Sequence, residues 1–366
     1  MQKIIFLLHL PPPIHGSSVV GKYIQDCKEI NNEFDCTFIN LLASKSVSDT
    51  GRINISKLIG FINTWLNLLR LLITQKPSLC YFALTTTGAG FFRDTTFVLL
   101  LKLFRVKIVY HLHNKGIKEK NHSFLYRLFY PLAFNDTDVI VLSPLLYEDI
   151  RSLVLPEKVH ICANGVPLNN YLLSPKKNKV IPELLFLSNL IEEKGVFILL
   201  EACEILKNKS IPFHCTFIGS WGDVNEERFN SFLKEKGITN YVKYAGKQYG
   251  QTKFEYLRDA DIFILPTYYA KECFPMTILE AMSMQLPIVS TPEGGIPDII
   301  EDGITGFLCP QKDASVLAIK LEELILNPTK REEMGKATFT KYESAYTLEI
   351  FENRMYQILK SIIATD

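Results

Sequence analysis

The chain has 366 residues, 47% of them hydrophobic and 22% charged, and its formal net charge is +1 at pH 7. This length exceeds the size at which one hydrophobic core keeps growing, so two domains are expected. The near-neutral charge and the lack of an extended basic tract argue against a bulk attraction to nucleic acid. The eight cysteines form no Cys-x-x-Cys pair and no zinc-binding spacing, which predicts reduced thiols in a cytoplasmic protein.

Three apolar stretches bear on membrane association. Residues 1–10 resemble a signal peptide, but the apolar run is short, His9 interrupts it and three prolines follow, so a first strand is predicted. No uninterrupted apolar run reaches the ~18 residues that a spanning helix needs. Residues 97–109 and 124–134 mix large apolar residues with Lys and Arg. They either face a membrane surface or pack as core helices and a buried strand, and both interpretations stay open here.

The first half of the chain alternates short apolar runs with helical stretches. Its predicted strands are Ile4–Leu8, Thr37–Leu41, Leu79–Phe82, Lys107–Leu112, Val139–Leu142 and Val159–Cys162. Its predicted helices are Ser17–Lys28, Ile55–Gln75, Asp94–Phe104, Ser123–Phe134 and Pro144–Val154. Such alternation predicts a parallel, doubly wound sheet, whose ligands bind beyond the C-terminal ends of its strands.

Two loops of this half follow predicted strands. After the first strand, Gly16 permits close approach of the backbone and Ser17 is predicted to cap the next helix; a plain strand-to-helix turn is the alternative. After the fourth strand, alternation sends His111 and His113 to the same face. A single histidine is usually structural, but two at a strand end indicate a ligand site. Lys115 follows them and either binds a phosphate group or is solvated.

The second half repeats the alternation and predicts a second domain of the nucleotide-binding type. Its predicted strands are Leu184–Leu187, His214–Ile218, Val242–Ala245, Ile262–Leu265 and Ile288–Ser290. Its predicted helices are Val196–Lys207, Asn225–Lys236, Gln251–Asp259, Thr277–Ser283, Ala314–Leu326, Glu332–Tyr342 and Thr347–Ile363. The polar, proline-flanked segment 174–182 is the predicted linker, and a hinge there would let two domains close on a substrate.

The stretch from Asp259 to Pro310 carries the most chemistry. A buried strand leads through a loop into a helix beginning near Thr277, and the unpaired amides of a first turn favour an anion such as pyrophosphate. Glu272 lies in the loop and Glu280 about one turn into the helix. Their carboxylates can accept hydrogen bonds from vicinal hydroxyls, as on a hexose or a ribose.

The ordered motifs of this stretch resemble family 4 of the glycosyltransferases. Glu272 and Glu280 are separated by seven residues, and Ala281-Met282, Pro287–Ser290, Gly294–Glu301 and Asp302–Leu308 follow in order. The resemblance implies the GT-B fold, an α/β architecture of two doubly wound Rossmann-like domains facing each other across a cleft. It also implies transfer of a sugar from a nucleotide diphosphate donor, with retention of the anomeric configuration and without a metal or other cofactor.

The same resemblance assigns roles to residues. Glu272 would hold the hydroxyls of the donor sugar, Glu280 the ribose, and His113 the donor sugar, with His111 as second choice. The implied catalytic residues are Glu272 and His113, and the implied donor-binding residues are Gly16, Lys194, Asn189, Gly219, Phe274, Met276, Thr277, Ile278 and Glu280.

Three positions depart from the family pattern. Gly16 is followed by serine where a second glycine is usual. Asn189 stands where an arginine usually precedes the lysine matched by Lys194, and an uncharged amide predicts weaker binding of the diphosphate. In the segment 162–167, which resembles an Asn-Gly-Val signature near the domain junction, Pro167 stands where aspartate is common.

These assignments predict an acceptor-binding domain at 1–173, a donor-binding domain at 174–345 and a terminal helix at 346–366 that crosses back to the first domain. The expected function is a retaining transfer of a hexose-type sugar from a UDP- or GDP-sugar to a glycan or lipid-linked glycan, in surface polysaccharide biosynthesis. The alternatives are a GT-B nucleotide-sugar epimerase and a non-catalytic nucleotide-sugar-binding protein. A dehydrogenase is disfavoured because no strand leads into a full Gly-x-Gly-x-x-Gly turn. The expected location is cytoplasmic, with peripheral association at the inner face of the cell membrane left open.

Overall fold

The computed structural model describes residues 1–41, 55–168 and 180–364. Its contacts divide the chain into two compact units, Met1–Asn164 together with Leu348–Asp366, and Gly165–Thr347. The predicted domain boundary between residues 173 and 174, and most of the predicted linker at 174–182, lie outside the described residues.

The first unit is built on a sheet of six parallel strands. They are β1 Lys3–Leu8, β2 Asp35–Asn40, β3 Leu79–Phe82, β4 Lys107–His111, β5 Asp138–Val141 and β6 Val159–Ile161. Their spatial order is β2-β1-β3-β4-β5-β6, with Ile4 of β1 aligned with Cys36 on one side and Leu79 on the other. The chain therefore reverses its direction across the sheet between β1 and β3, and such a reversal is where open parallel sheets bind ligands.

Helices cover both faces of this sheet. They are α1 Gly16–Asp26, α2 Lys28–Glu33, α3 Ile55–Gln75, α4 Gly88–Leu103, α5 Ile117–Lys120, α6 Phe124–Phe134, α7 Tyr147–Ile150 and, after the second unit, α15 Leu348–Ala364. The terminal helix belongs to this unit: Phe351, Met355 and Leu359 are buried, and the Lys107 ammonium donates to the Ile362 carbonyl at 2.8 Å.

Three helix predictions in this unit were wrong at their ends. The predicted Ser17–Lys28 breaks at Cys27, whose backbone is extended, and α2 follows it. The predicted start at Asp94 is too late, because α4 begins at Gly88 after an extended Thr87. The predicted helix Pro144–Val154 is a 3-10 turn over Pro144–Leu146 followed by the short α7.

The second unit has its own sheet of six parallel strands. They are β7 Glu183–Leu187, β8 His214–Ile218, β9 Val242–Tyr244, β10 Ile262–Leu265, β11 Ile288–Ser290 and β12 Gly306–Leu308. Their order is β12-β11-β10-β7-β8-β9, so the reversal lies between β7 and β10. The strand β12 was not predicted. Its Gly306 lies opposite Ile288 of β11, so close that a Cβ would come within 2.0 Å of the Ile288 carbonyl oxygen.

The helices of the second unit are α8 Val196–Asn208, α9 Glu226–Glu235, α10 Gly250–Asp259, α11 Met276–Met282, α12 Ile296–Ile299, α13 Ala314–Leu326 and α14 Pro328–Ala345. The strands β3, β5 and β10 are buried along their whole length, as expected of parallel strands covered on both faces. Among the described helices, none combines the length and the apolar character that a membrane span requires.

Candidate functional site

The reversal of strand order in the second unit brings together two predicted site residues. Lys194 closes a 3-10 turn in the loop after β7, and Glu272 lies in the loop after β10, the neighbouring strand. The Lys194 ammonium forms an ion pair with Oε2 of Glu272, and the two side chains are only 14% and 10% exposed. The same ammonium lies 4.7 Å from the centroid of the Tyr269 ring. The result is a mostly buried ion pair in which each charge neutralises the other, with the Tyr269 ring beside the ammonium.

Backbone contacts hold the Lys194 loop against the end of β10. Gly195 has φ +88, and a Cβ there would come within 2.2 Å of the Pro266 carbonyl oxygen, so only glycine allows this approach. The Tyr268 amide donates to the Glu193 carbonyl at 2.7 Å. Lys194 is thereby fixed next to Glu272 by its neighbours on both sides.

Gly294 and Gly295 of the later motif contact the backbone around Glu272. Gly294 has φ +57, and a Cβ there would lie 2.3 Å from the Glu272 carbonyl oxygen. The Gly295 amide donates to the Cys273 carbonyl at 2.6 Å. The Gly294-Gly295 turn therefore fixes the backbone that carries the Glu272 carboxylate. Cys273, between Glu272 and Phe274, is also buried.

The second glutamate also has a lysine partner, which the sequence analysis missed. Lys253 of α10 donates to Oε1 of Glu280 at 2.6 Å. The other carboxylate oxygen, Oε2, is buried and has no hydrogen-bond partner within the described part of the chain. A buried acceptor without a donor is uncommon in native proteins and indicates that a ligand group can supply one. Nothing in the local pattern around Lys253 distinguished it from a solvated helix lysine.

Two further predicted residues lie on the loops at this edge. Asn189 is exposed after β7. Gly219, at the end of β8, lies so close to Ser188 that a Cβ would be 1.8 Å from the Ser188 carbonyl oxygen. Gly219 thus packs the loop after β8 against the loop that leads to Lys194.

The four predicted residues around the start of α11 have different surroundings. Phe274 is buried and its ring contacts the Tyr346 ring at 5.8 Å between centroids. Ile278 is fully buried, and its amide donates to the Pro275 carbonyl at 3.1 Å. Met276 and Thr277 are half-buried. The helix has only seven residues, so binding of a diphosphate at its first turn stays a prediction.

The reversal of strand order in the first unit lies beside the predicted glycine loop. His15, not Ser17, caps α1: its Nδ1 accepts from the Ser18 amide at 3.3 Å, and its own amide donates to Ser18 Oγ at 3.0 Å. The prediction for Ser17 was wrong because His15 is the last residue with extended backbone before the helix. A Cβ on Gly16 would meet no atom within 4 Å, so the space beside it is open.

The two histidines at the end of β4 lie together, as strand alternation predicted. The His111 and His113 rings are 4.1 Å apart between centroids, and Nδ1 of His111 shares a 2.5 Å hydrogen bond with the Tyr81 hydroxyl. Burial lowers the pKa of His111 to about 3. Burial, followed by the neighbouring His111, lowers the pKa of His113 well below its ordinary value. Both rings are therefore neutral at pH 7.

A third histidine at this edge was missed. Burial, followed by the charge of Arg93, lowers the pKa of His9 to about 3. Its Nδ1 is buried and has no hydrogen-bond partner among the residues described. Arg93 itself pairs with the buried Asp94 at 2.6 Å, and the same carboxylate accepts from the Thr85 amide at 3.0 Å. The sequence signal was the position of His9, one residue beyond β1.

The loop that follows His113 is anchored by a single carboxylate. Asp149 of α7 accepts hydrogen bonds from the amides of Gly116, Ile117 and Lys118 at 2.9, 3.1 and 3.0 Å. Lys115, within this loop, is half-buried. The Asp149 carboxylate, in the segment after β5, thus fixes the position of the loop after β4.

One group of potential metal ligands exists in the described ranges. Ligand atoms of Cys27, Glu29 and Glu352 lie within 4.8 Å of one another, on α2, α15 and the residue before α2. Burial raises the pKa of the Cys27 thiol to about 11. Glu29 is exposed, and exposed acidic groups commonly lie close together without a metal, so this group carries no assignment as a metal site.

Most of the second unit matches one family model. Residues 173–341 match the family model described as "Glycosyl transferases group 1". The chain is 28% identical over 269 residues to the amylovoran biosynthesis glycosyltransferase AmsK of Erwinia amylovora, covering 72% of this chain and 66% of that protein. It is 23% identical over 281 residues to the capsular polysaccharide biosynthesis glycosyltransferase CapM of Staphylococcus aureus, covering 72% of each. The chain spans 56–66% of the length of the first curated relatives it matches.

Solved structures extend the likeness to the whole chain. Anabaena HepE in complex with UDP has a TM-score of 0.77 at 18% identity, over 98% of this chain and 100% of that chain. HepE in complex with UDP-glucose has a TM-score of 0.74 at 17% identity, over 99% and 100%. At this identity the likeness shows the fold alone. The fold is therefore that of the GT-B glycosyltransferases, two parallel-sheet α/β Rossmann-like domains, and a glycosyl transferases group 1 match covers most of the second unit.

Proposed function

We propose that the protein is a glycosyltransferase that moves a hexose-type sugar from a nucleotide diphosphate sugar to a hydroxyl of a glycan or lipid-linked glycan. The observation that carries the proposal is the buried Lys194–Glu272 pair, with the half-satisfied Glu280 on the following helix. The relatives AmsK and CapM, named for amylovoran and capsular polysaccharide biosynthesis, support a role in surface polysaccharide biosynthesis. The UDP and UDP-glucose bound by HepE support a nucleotide-sugar donor.

The ion pair explains how one donor can satisfy two protein groups. Without a donor, Lys194 and Glu272 neutralise each other in a mostly buried setting. A diphosphate carries more negative charge than one carboxylate and attracts the lysine, which would leave Glu272 as a buried carboxylate without its cation. The sugar hydroxyls then supply hydrogen bonds to Glu272. This exchange favours a ligand with a diphosphate and a sugar over either group alone.

Glu280 is suited to the ribose. Its Oε1 is already held by Lys253, so its charge stays compensated when a neutral hydroxyl binds. Its buried Oε2 can accept a hydrogen bond from a ribose hydroxyl. The two glutamates therefore take different parts of the same donor.

The proposed chemistry is chiefly positioning and electrostatic stabilisation. The bond between the anomeric carbon and the diphosphate oxygen breaks, with Lys194 stabilising the leaving charge in place of a metal. The acceptor hydroxyl attacks on the same face, and its proton passes to the diphosphate, so the anomeric configuration is retained. By the family resemblance, His113 contacts the donor sugar, and a neutral ring can donate one hydrogen bond there.

A thermal-shift titration with UDP, GDP, ADP, CMP and NAD tests the donor site. A ligand at 100 times its Kd stabilises the folded state by about 2.7 kcal/mol. We expect one nucleoside diphosphate to raise the melting temperature, Lys194→Ala to weaken that effect, and the control Lys209→Ala, on an exposed lysine of the same unit, to leave it unchanged. No shift with any nucleotide, or a shift with NAD only, would remove the donor assignment.

Product analysis then separates the alternatives. A transferase releases nucleoside diphosphate faster when an acceptor is present and makes a product with the donor's anomeric configuration, which NMR of the product reports. An epimerase converts the nucleotide sugar without an acceptor. A non-catalytic protein binds the nucleotide sugar and leaves it intact.

A further inference from the structure

One side of the first unit carries an extended apolar face on three neighbouring helices. The middle helix, α4, packs against α3 through the Phe61 and Phe97 rings, 5.4 Å apart between centroids. It packs against α6 through Phe92 and Phe129, 5.6 Å apart. The three helices therefore form one continuous layer.

Each of these helices turns apolar side chains outward. They are Leu58, Ile59, Ile62, Leu66 and Ile73 of α3, Leu99 and Leu103 of α4, Phe104 next to it, and Phe124, Leu125, Leu128 and Leu132 of α6. They make up half of the large apolar side chains exposed in the described part of the chain, and Phe124 and Leu103 are 79% and 76% exposed. Residues four apart on a helix share a face, so these side chains form stripes. Extended apolar patches of this kind mark interaction sites.

The charged residues within these three helices are basic with one exception, and the exposed Asp136 follows shortly after α6. The sequences of α3, α4 and α6 contain a single acid, Asp94, which is fully buried and paired with Arg93. Arg70 of α3, Arg105 just after α4 and Arg127 of α6 are exposed. We call the exposed apolar residues of these helices and these three arginines the α3–α4–α6 face. It complements a surface that is apolar in depth and negatively charged at its edge.

We propose that the α3–α4–α6 face docks on the surface of an anionic lipid bilayer. The apolar stripes would enter the boundary between headgroups and acyl chains, and Arg70, Arg105 and Arg127 would lie at the lipid phosphates. A bilayer of anionic lipid matches both the aliphatic character and the positive charge of the face. The proposal stands apart from the proposed function, and it suits an acceptor that is linked to a lipid.

Vesicle flotation of the full chain tests the proposal. We expect the protein to float with vesicles of equal parts phosphatidylglycerol and phosphatidylcholine, and less with phosphatidylcholine alone. The double substitution Phe124→Ser and Leu128→Ser should lower the partition coefficient at least about tenfold, since each removes a large apolar side chain from the interface. Arg105→Gln and Arg127→Gln should each lower it about fivefold, and high salt should do the same.

The matched control is Ile319→Ser with Leu326→Ser, two exposed apolar side chains on α13 of the second unit. We expect this variant to bind vesicles like the parent chain. All substituted side chains are exposed, and an unchanged melting temperature of each variant verifies that it is folded.

Tryptophan fluorescence locates the docked face. The chain has two tryptophans, and Trp65 lies half-buried on α3 while Trp221 lies in the second unit. In a Trp221→Phe variant, brominated phosphatidylglycerol in the vesicles should quench Trp65. In a Trp65→Phe variant, the same lipid should leave Trp221 unquenched.

Three results would overturn the proposal. One is no flotation with the anionic vesicles at low salt, and another is equal flotation of the Phe124/Leu128 variant. The third is a concentration-dependent dimer in analytical ultracentrifugation that the Phe124/Leu128 variant abolishes, which would assign the face to a second copy of the chain. Because vesicle binding needs no nucleotide, a failure of this proposal is distinct from a failure of the proposed function.

Discussion

The two units share an architecture, but they carry different side chains at the reversal of strand order. Each sheet has six parallel strands and one reversal of strand order. In the second unit the reversal holds the Lys194–Glu272 ion pair. In the first unit it holds His9, whose lowered pKa keeps it neutral, beside an arginine already bound to a buried aspartate. The comparison shows that topology determines where a ligand can bind, and the side chains at the strand ends determine which charge it can carry.

The largest expected effect comes from removing the Glu272 charge from the Lys194–Glu272 ion pair of the second unit. Glu272→Gln keeps the size of the side chain but cannot compensate Lys194 or accept hydroxyl hydrogen bonds with full charge. We expect turnover to fall about 1,000-fold, the scale of losing one group that acts on the transition state. Nucleotide affinity, measured by thermal shift, should change little. Turnover equal to that of the parent enzyme would contradict the role of Glu272, and Glu322→Gln on the same unit is the control.

Gly294→Ala would disturb the same site through the backbone that carries Glu272. The added Cβ would lie 2.3 Å from the Glu272 carbonyl oxygen at a residue with φ +57. We expect the free energy of unfolding to drop by about 3 kcal/mol, the sum of backbone strain and displacement of the loop.

A matched control separates the two contributions. Gly250 has φ +54, and a Cβ there would meet no atom within 4 Å. Gly250→Ala should therefore cost only about 1 kcal/mol, the strain of a left-handed alanine. Urea denaturation measures both variants, and equal losses would show that the contact with Glu272 does not matter.

The buried, neutral histidines of the first unit predict that its stability depends on pH. Burial lowers the pKa of His9 and of His111 to about 3. The unfolded chain binds these protons first, so the stability from both rings is complete above about pH 6.5 and is lost as the pH falls toward about 3. As the pH falls from 6.5 to 4.5, the contribution of each ring should lower the free energy of unfolding by about 1.4 kcal/mol per pH unit.

His111→Gln should reduce that slope by about one proton. Urea denaturation at several pH values between 6.5 and 4.5 measures it, with His122→Gln, at an exposed position, as the control for losing a histidine. A slope that His111→Gln leaves unaltered would show that the ring is not held neutral by its buried setting.

The smallest expected effect sharpens the contrast between a buried pair and an exposed one. Lys209 and Glu322 are partly exposed and 2.5 Å apart, so a double-mutant cycle should give a coupling of about 0.5 kcal/mol. The same cycle on Lys194 and Glu272 should give a coupling several-fold larger, because water does not screen it as well. Equal couplings would remove the distinction between the two pairs.

Much of the architecture could be predicted from local patterns. Apolar runs bounded by polar residues marked eleven of the twelve strands, and β3, β8, β10 and β11 have the predicted bounds. The exception, β12, has three residues and includes a glycine, which leaves too short a run to detect. Helix ends were less accurate, as at α1, because His15 competes with Ser17 for the cap and only the backbone conformation decides.

The apolar face of the first unit shows where local patterns stop. The sequence marked residues 97–109 and 124–134 as either membrane-facing or core. The core interpretation holds in part, since Phe97 and Val98 are buried, whereas Leu99 and Leu103 on the same helix are exposed. Contact of the exposed residues with a membrane stays a prediction. Whether an apolar side chain is covered depends on neighbouring elements, which the sequence of one helix does not contain.

The site divides in the same way. The order of residue types along the chain was enough to single out Lys194, Glu272, Glu280 and His113 by motif. That Lys194 pairs with Glu272 across 78 positions, and Lys253 with Glu280, became visible only in the folded chain. The physical reason is that strand order, not sequence distance, sets which loops are neighbours, and β7 and β10 become adjacent only when the sheet forms.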